Sequence, residues 1–250
     1  MTTDQSNSSP APTSAAVEWD DARNEPFILI PGQPDFRLTP LRAGDEDDIV
    51  RLCNDPSVGQ WTYRRAFPYV PVRRPSCLPP SRVQPDVRYT RAHAEWWINH
   101  VVPQYRTFFP QVREALQHAS PPPMHELRVV LRHVPVGPES DTSAYLAKQG
   151  IPPEAQLGSM HLWPSEWEGL SEAEMLALPP GEQVWEIAYD LLPGLRGRGL
   201  GKGMILAAMD GWIKWLGIGT VIAVRAGAVA PRQRLMTGRA DGQCCFPCCC

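Results

Sequence analysis

The chain has 250 residues, 43% hydrophobic and 20% charged, with a net charge of −3. That is enough apolar material for one large core, and the faintly acidic balance argues against the basic nucleic-acid binders, so no nucleic-acid partner is expected. No apolar run approaches the roughly 18 residues of a membrane helix, and the opening MTTDQSNSSP lacks the features of a secretion signal, so the expectation is a soluble protein of the cytoplasm or nucleus with no membrane partner.

Residues 1–26 are rich in Ser, Thr, Ala and Pro and read as a disordered tail, because they bury too little to offset their ordering entropy. FRLTPLR is a first strand. GDEDDIVRLCND follows as a helix, with acids in its first turn and Ile49, Val50, Leu52 and Cys53 on one side. Residues 59–86 read as an irregular loop of proline and arginine. The next helix is capped by Thr90, carries Ala94, Trp97, Ile98 and Val101 on one face, and should end near Pro103. A short second helix would start at Pro110. HELRVVLRHV and AQLGSMHLW read as strands joined by a polar connection over 135–154. Ser171 and Glu174 form a capping box for a short helix. EQVWEIAYDLL is a strand, GLGKGMILAAMDGWIKWLG a long helix closed by Gly217 and Gly219, and TVIAV a buried strand. The fold class is therefore mixed α/β, of the α+β kind, with a β-turn-α-β unit at its end.

Seven cysteines, five of them in the terminal CCFPCCC, do not make a spaced disulfide framework. Cys245 and Cys248 form a C-x-x-C pair, but zinc sites draw on four well-spaced ligands, so no metal is expected.

The informative stretch is LLPGLRGRGLGKG, between strand and long helix. The first N–H groups of a helix have no internal partners and attract anions, glycines let backbone approach a ligand closely, and Arg196, Arg198 and Lys202 add charge. A phosphate or pyrophosphate is the natural guest. The P-loop pattern fails twice, with Arg196 at the first glycine and Gly203 at the magnesium-binding Ser/Thr. The dinucleotide fingerprint G-x-G-x-x-G fails from either Gly197 or Gly199. The pattern R-x-x-G-x-G is met by Arg196, Gly199 and Gly201, preceded by Pro193 and the apolar pair Leu191-Leu192.

That composite resembles motif A of the GNAT superfamily of acyl-CoA N-acyltransferases. FRLTPLRAGDEDDIVRLCNDPSVGQWT, PYVP, Ala94-x-x-Trp97, QLGSMHLW and WEIAYDLLPGLRGRGLG look like the branch that contains ribosomal-protein alanine acetyltransferases. The resemblance covers residues 27–225, with insertions at about 64–89 and 164–182. It implies a mostly antiparallel twisted sheet flanked by helices, an acetyl-CoA cosubstrate and a primary-amine acceptor (a protein N-terminus, a lysine or a small amine). It also implies a cradle for the coenzyme pyrophosphate from Arg196, Gly197, Arg198, Gly199, Leu200, Gly201 and Lys202. Tyr189, Leu191 and Leu192 would offer backbone to the pantetheine amides, where their strand splays from TVIAV. A carboxylate takes the amine's proton in such chemistry: Glu186 first, Asp190 second, both on one face in the absence of a bulge.

The resemblance fails after TVIAV. Where the family carries an Asn, a Ser or Ala and often a Tyr, this chain has Ala228 and Pro231 and no tyrosine beyond Tyr189. Residues 226–250 read as a disordered or aberrant Cys-rich tail, with the family's last strands missing. The alternative expectation is a catalytically weak or inactive relative acting as a binding or interaction protein.

Overall fold

The computed structural model describes residues 17–59, 89–122, 126–134, 141–165 and 169–223. The loop expected at 59–86 and the tail expected at 226–250 lie outside the described residues, apart from Gly59.

Among the described residues seven strands form one sheet in chain order: β1 (Val17–Asp20), β2 (Glu25–Leu29), β3 (Phe36–Pro40), β4 (Leu127–His133), β5 (Gln156–Pro164), β6 (Val184–Leu191) and β7 (Thr220–Ala223). All neighbours are antiparallel except β6 and β7, which run parallel. The protein is thus mixed α/β with a mostly antiparallel sheet.

Of the disordered tail expected over residues 1–26, residues 17–26 are corrected by β1 and the start of β2, and residues 1–16 lie outside the described residues. Val17 and Ile28 are buried as cross-strand partners, and Trp19 packs against the same core. The hairpin turn is held by Asp20, whose carboxylate accepts the N–H groups of Ala22 and Arg23 at 3.0 and 3.1 Å. Two inward apolar residues in VEWD are too faint a signal against a polar background, and the sheet edge supplies the rest.

The helices are α1 (Glu46–Asn54), α2 (Pro56–Gly59), α3 (Arg91–His118), α4 (Asp141–Lys148), α5 (Glu172–Ala177), α6 (Leu200–Ala208) and α7 (Lys214–Leu216). Two helices were expected around Pro103 and Pro110; one 28-residue helix, α3, is present. Both prolines are exposed, so the carbonyls they deprive of a partner face water. The buried stripe of Val101, Tyr105, Phe108, Val112 and Ala115 runs past them unbroken, and its packing overrides the local penalty. The connection over 135–154 contains α4, which composition alone had left without structure.

α6 passes through a π-helical turn (Met209–Ile213) into α7. Leu200, Met204, Ala208, Trp212 and Leu216 are all buried. A strict four-residue spacing overruns a 3.6-residue turn, and the wider π turn brings the later residues back to the core face.

One face of the sheet forms the main core. Leu38, Leu131, Met160, Leu162 and Trp185 pack there with Phe108 and Val112 of α3 and Met204 and Trp212 of α6. The N-terminal half of α3 joins a second cluster with Ile49 and Cys53 of α1. A buried ion pair ties β4 to the start of α1: Arg132 Nη2 donates to Asp45 Oδ2 at 2.6 Å, while the rest of the guanidinium donates to Thr39 Oγ1 and the Glu154 carbonyl, both at 2.7 Å.

Candidate functional site

β6 lies between β5 and β7, and among the described residues, which stop at Ala223, its pairing with β7 runs from Val184↔Thr220 to Ile187↔Ala223. From Ala188 to Leu191 it pairs with β5 alone among the described residues. Ala188 and Tyr189 point to opposite faces and both are exposed, Tyr189 by 48%. Just past β6 the Leu192 N–H donates to the Leu157 carbonyl at 2.9 Å. The side chains of Leu191 and Leu192 are buried, so only their backbone can face a ligand.

The glycine turn follows directly. A 3-10 turn (Pro193–Leu195) leads to Gly197 at φ 76° and Gly199 at φ 77°. Both lie in the left-handed region, where a Cβ is penalised. The helical ladder begins with the Gly203 N–H donating to the Gly199 carbonyl at 2.9 Å. The N–H groups of Leu200, Gly201 and Lys202 precede it, at the positive end of the helix. Leu200 itself is a buried anchor. Gly201 sits beside Tyr189: a Cβ there would lie 3.4 Å from its ring. Gly203 lets the helix start close onto β2, since a Cβ would fall 2.7 Å from Ile30 Cγ2.

The three cations divide in role. Arg196 turns back on the fold, donating to the Leu191 carbonyl at 3.4 Å and the Ser57 carbonyl at 3.2 Å. It shapes the turn. Arg198 and Lys202 stay exposed. Arg198 lies over the Tyr145 ring at 5.4 Å, and its carbonyl accepts from Gln33 Nε2 at 3.5 Å. Neither Tyr145 nor Gln33 was singled out by the sequence.

The opposite face of the sheet holds the carboxylates. β6 runs against β5 without a register shift from Trp185 to Leu191, so Glu186, Ala188 and Asp190 share a face. Glu186 is 8% exposed and accepts from the Ser165 hydroxyl at 2.8 Å. Asp190 accepts the Ser159 N–H at 2.8 Å and its hydroxyl at 2.9 Å.

Between them runs a row that sequence reasoning missed. Arg128 of β4 pairs with His161 of β5, and His161 with Ala188. His161 Nε2 is 3.0 Å from Glu126 Oε2, which also accepts from Arg128 Nη2 at 2.7 Å. Arg128 lies 4.4 Å over the Trp97 ring, and the His161 and Trp163 rings are 4.4 Å apart. Burial would push the Glu126 carboxyl up, but the hydrogen bond to His161 and the charge of Arg128 hold it at about 2. The alternation in GSMHLW, which sets Ser159, His161 and Trp163 on one face, was the available signal.

Among the described residues no group of His, Cys, Asp and Glu could hold a metal ion, and no helix is long and apolar enough to cross a membrane. Comparison of the chain with models of known protein families gave no match, and comparison with curated proteins gave none.

Proposed function

We propose that this chain is an N-acetyltransferase of the GNAT type, binding acetyl-CoA at the glycine turn and moving the acetyl group to a primary amine. The observation that carries the reading is one juxtaposition. The end of β6 runs straight into a turn with two left-handed glycines and the start of a long helix. Coenzyme A needs those two features side by side: amide partners for its pantetheine arm and a cationic N–H cradle for its pyrophosphate.

In this reading the N–H groups of Gly197 to Lys202 hold the pyrophosphate, and Arg198 and Lys202 supply charge. The pantetheine arm lies along Ala188 to Leu191. The thioester reaches the level of Ala188, and the acceptor amine enters from the face of Glu186, His161 and Asp190. The geometry favours this over a nucleotide site of the P-loop kind because Gly203 offers no hydroxyl for magnesium.

Thermal unfolding of the purified chain against increasing acetyl-CoA tests the reading. A ligand of the folded state raises the midpoint with concentration until the effect saturates. The paired substitution Arg198→Ala and Lys202→Ala should weaken that response by about 10-fold or more, as expected for losing charge-assisted contacts. Gly201→Leu, which crowds Tyr189, should abolish it. A folded sample with no rise at any concentration would sink the proposal.

A further inference from the structure

We infer that the cavity beneath the middle of α3 is a binding site for a small apolar molecule carrying one hydrogen-bond acceptor, and that it enlarges by movement of the helix between Pro103 and Pro110. The site is independent of the acetyl-transfer reading: among the described residues, none from the glycine turn lines it.

The cavity has a volume of about 20 Å³ and lies between α3 and the first four strands. Ile28, Leu38 and Val129 line it from the sheet, and Tyr105, Phe108 and Phe109 from α3. Trp212, in the π-helical turn after α6, lines it as well. The charged residues that reach it, Glu126 and Arg128, are engaged with each other. The Tyr105 hydroxyl donates to the Arg128 carbonyl at 3.1 Å.

Two buried indole N–H groups in this part of the core lack an acceptor. Trp212 is 1% exposed, and its Nε1 has no partner among the described residues. Trp19 Nε1 is in the same state, and its ring stands edge-on to Phe109 with centroids 6.4 Å apart. An indole nitrogen only donates, and native proteins rarely leave a buried donor unpaired. A ligand that presents one acceptor to Trp212 removes that cost, and the rest of such a ligand meets an apolar wall. Water is the poorer guest, because a buried water draws on several polar partners.

At about 20 Å³ the cavity takes roughly one water-sized body, so a molecule of several carbons requires the wall to give. α3 is weakest at this point. Pro103 and Pro110 have no N–H to donate to the carbonyls of Asn99 and Arg106, one turn earlier. Everything that α3 contributes to the lining falls between those two prolines. Phe109 is half-buried and stacked on Tyr105, with centroids 4.7 Å apart. Displacing its ring is the smallest change that enlarges the space. Closed and open forms are then two states of one segment, and a ligand that fits the open one shifts the population toward it.

The experiment uses the whole chain and two probes of nearly equal shape: acetophenone, which has an acceptor, and ethylbenzene, which has none. Binding is followed by the indole N–H resonances of isotope-labelled protein. The Trp212 resonance is assigned with Trp212→Phe, or from its contact with Phe108 where that variant does not fold. Acetophenone should move this resonance saturably, and ethylbenzene should bind at least about 10-fold more weakly. Pro103→Ala combined with Pro110→Ala restores both helical bonds at exposed positions and should weaken acetophenone binding by about 10-fold or more. Val129→Ile, which adds a methylene to the lining, should weaken it as well. Shifts that never saturate, equal affinity for the two probes, or native affinity in the proline variant or in Val129→Ile each overturn the inference.

Discussion

The hydroxyl of Tyr145, on α4, rests against the Cα of Gly194 so closely that a Cβ on Gly194 would overlap it. The same ring lies under the Arg198 guanidinium. A helix from the connection between β4 and β5 therefore braces the turn that leads to the anion cradle. Gly194→Ala should cost about 1–3 kcal/mol, because the alanine methyl displaces the phenol. Gly194 has no left-handed φ, so in a Tyr145→Ala background the same substitution should cost almost nothing. Chemical denaturation of the four proteins measures the coupling. Equal costs in both backgrounds would show that Tyr145 is not what excludes a side chain at this position.

The Arg132–Asp45 pair, with side chains 2% and 8% exposed, should be costly to break. Asp45→Ala leaves a buried guanidinium without its carboxylate and should destabilise the fold by about 3–5 kcal/mol. Replacing both partners with apolar residues, Asp45→Leu with Arg132→Met, should cost much less than either single change. Urea midpoints for the three variants decide this; a double variant as unstable as the sum of the singles would mean that the bonds to Thr39 and Glu154 dominate.

Much of the last third was legible because sequence and packing say the same thing there. Glycines at 197, 199 and 217 stand where φ is positive, and the every-fourth apolar run of α6 and α7 is the buried face. The capping box of Ser171 and Glu174 is present. What stayed hidden depends on long-range contacts. VEWD becomes a strand because β2 is there to pair with it, and Pro103 and Pro110 sit inside α3 because a continuous apolar stripe holds the helix to the core. In the site, the glycine turn was visible as a pattern. His161 and Glu126, 35 residues apart, meet only through the register of β4 and β5. Arg196, the residue that anchored the motif, turned out to bind the protein's own carbonyls.

The two internal prolines of α3 give a prediction of the opposite sign. Each is exposed and each removes one helical hydrogen bond. Pro103→Ala and Pro110→Ala should both stabilise the protein, by up to about 3 kcal/mol, the difference between proline and alanine inside a helix. Thermal unfolding reads the effect as a raised midpoint. A lowered midpoint for either variant would mean that the packing of α3 depends on a bend at that proline.

The depressed Glu126 carboxyl makes stability depend on pH in a defined window. Burial acts to raise its pKa, and His161 and Arg128 more than offset that, from an ordinary 4.5 to about 2. A carboxyl with a lower pKa in the folded state releases its proton more readily there than in the unfolded chain. Its contribution is therefore complete above the unfolded value of 4.5 and declines as the pH falls toward 2. Allowing for the partial exposure of the group, the contribution is on the order of 2 kcal/mol. Glu126→Gln removes the titration and keeps the shape of the side chain. The stability difference between native protein and variant should thus shrink steadily as the pH falls from about 5 toward 2. Urea unfolding at a series of pH values measures it directly. A difference that stays flat down to pH 3 would mean that the carboxyl titrates alike in folded and unfolded chains, and that His161 and Arg128 do not hold it.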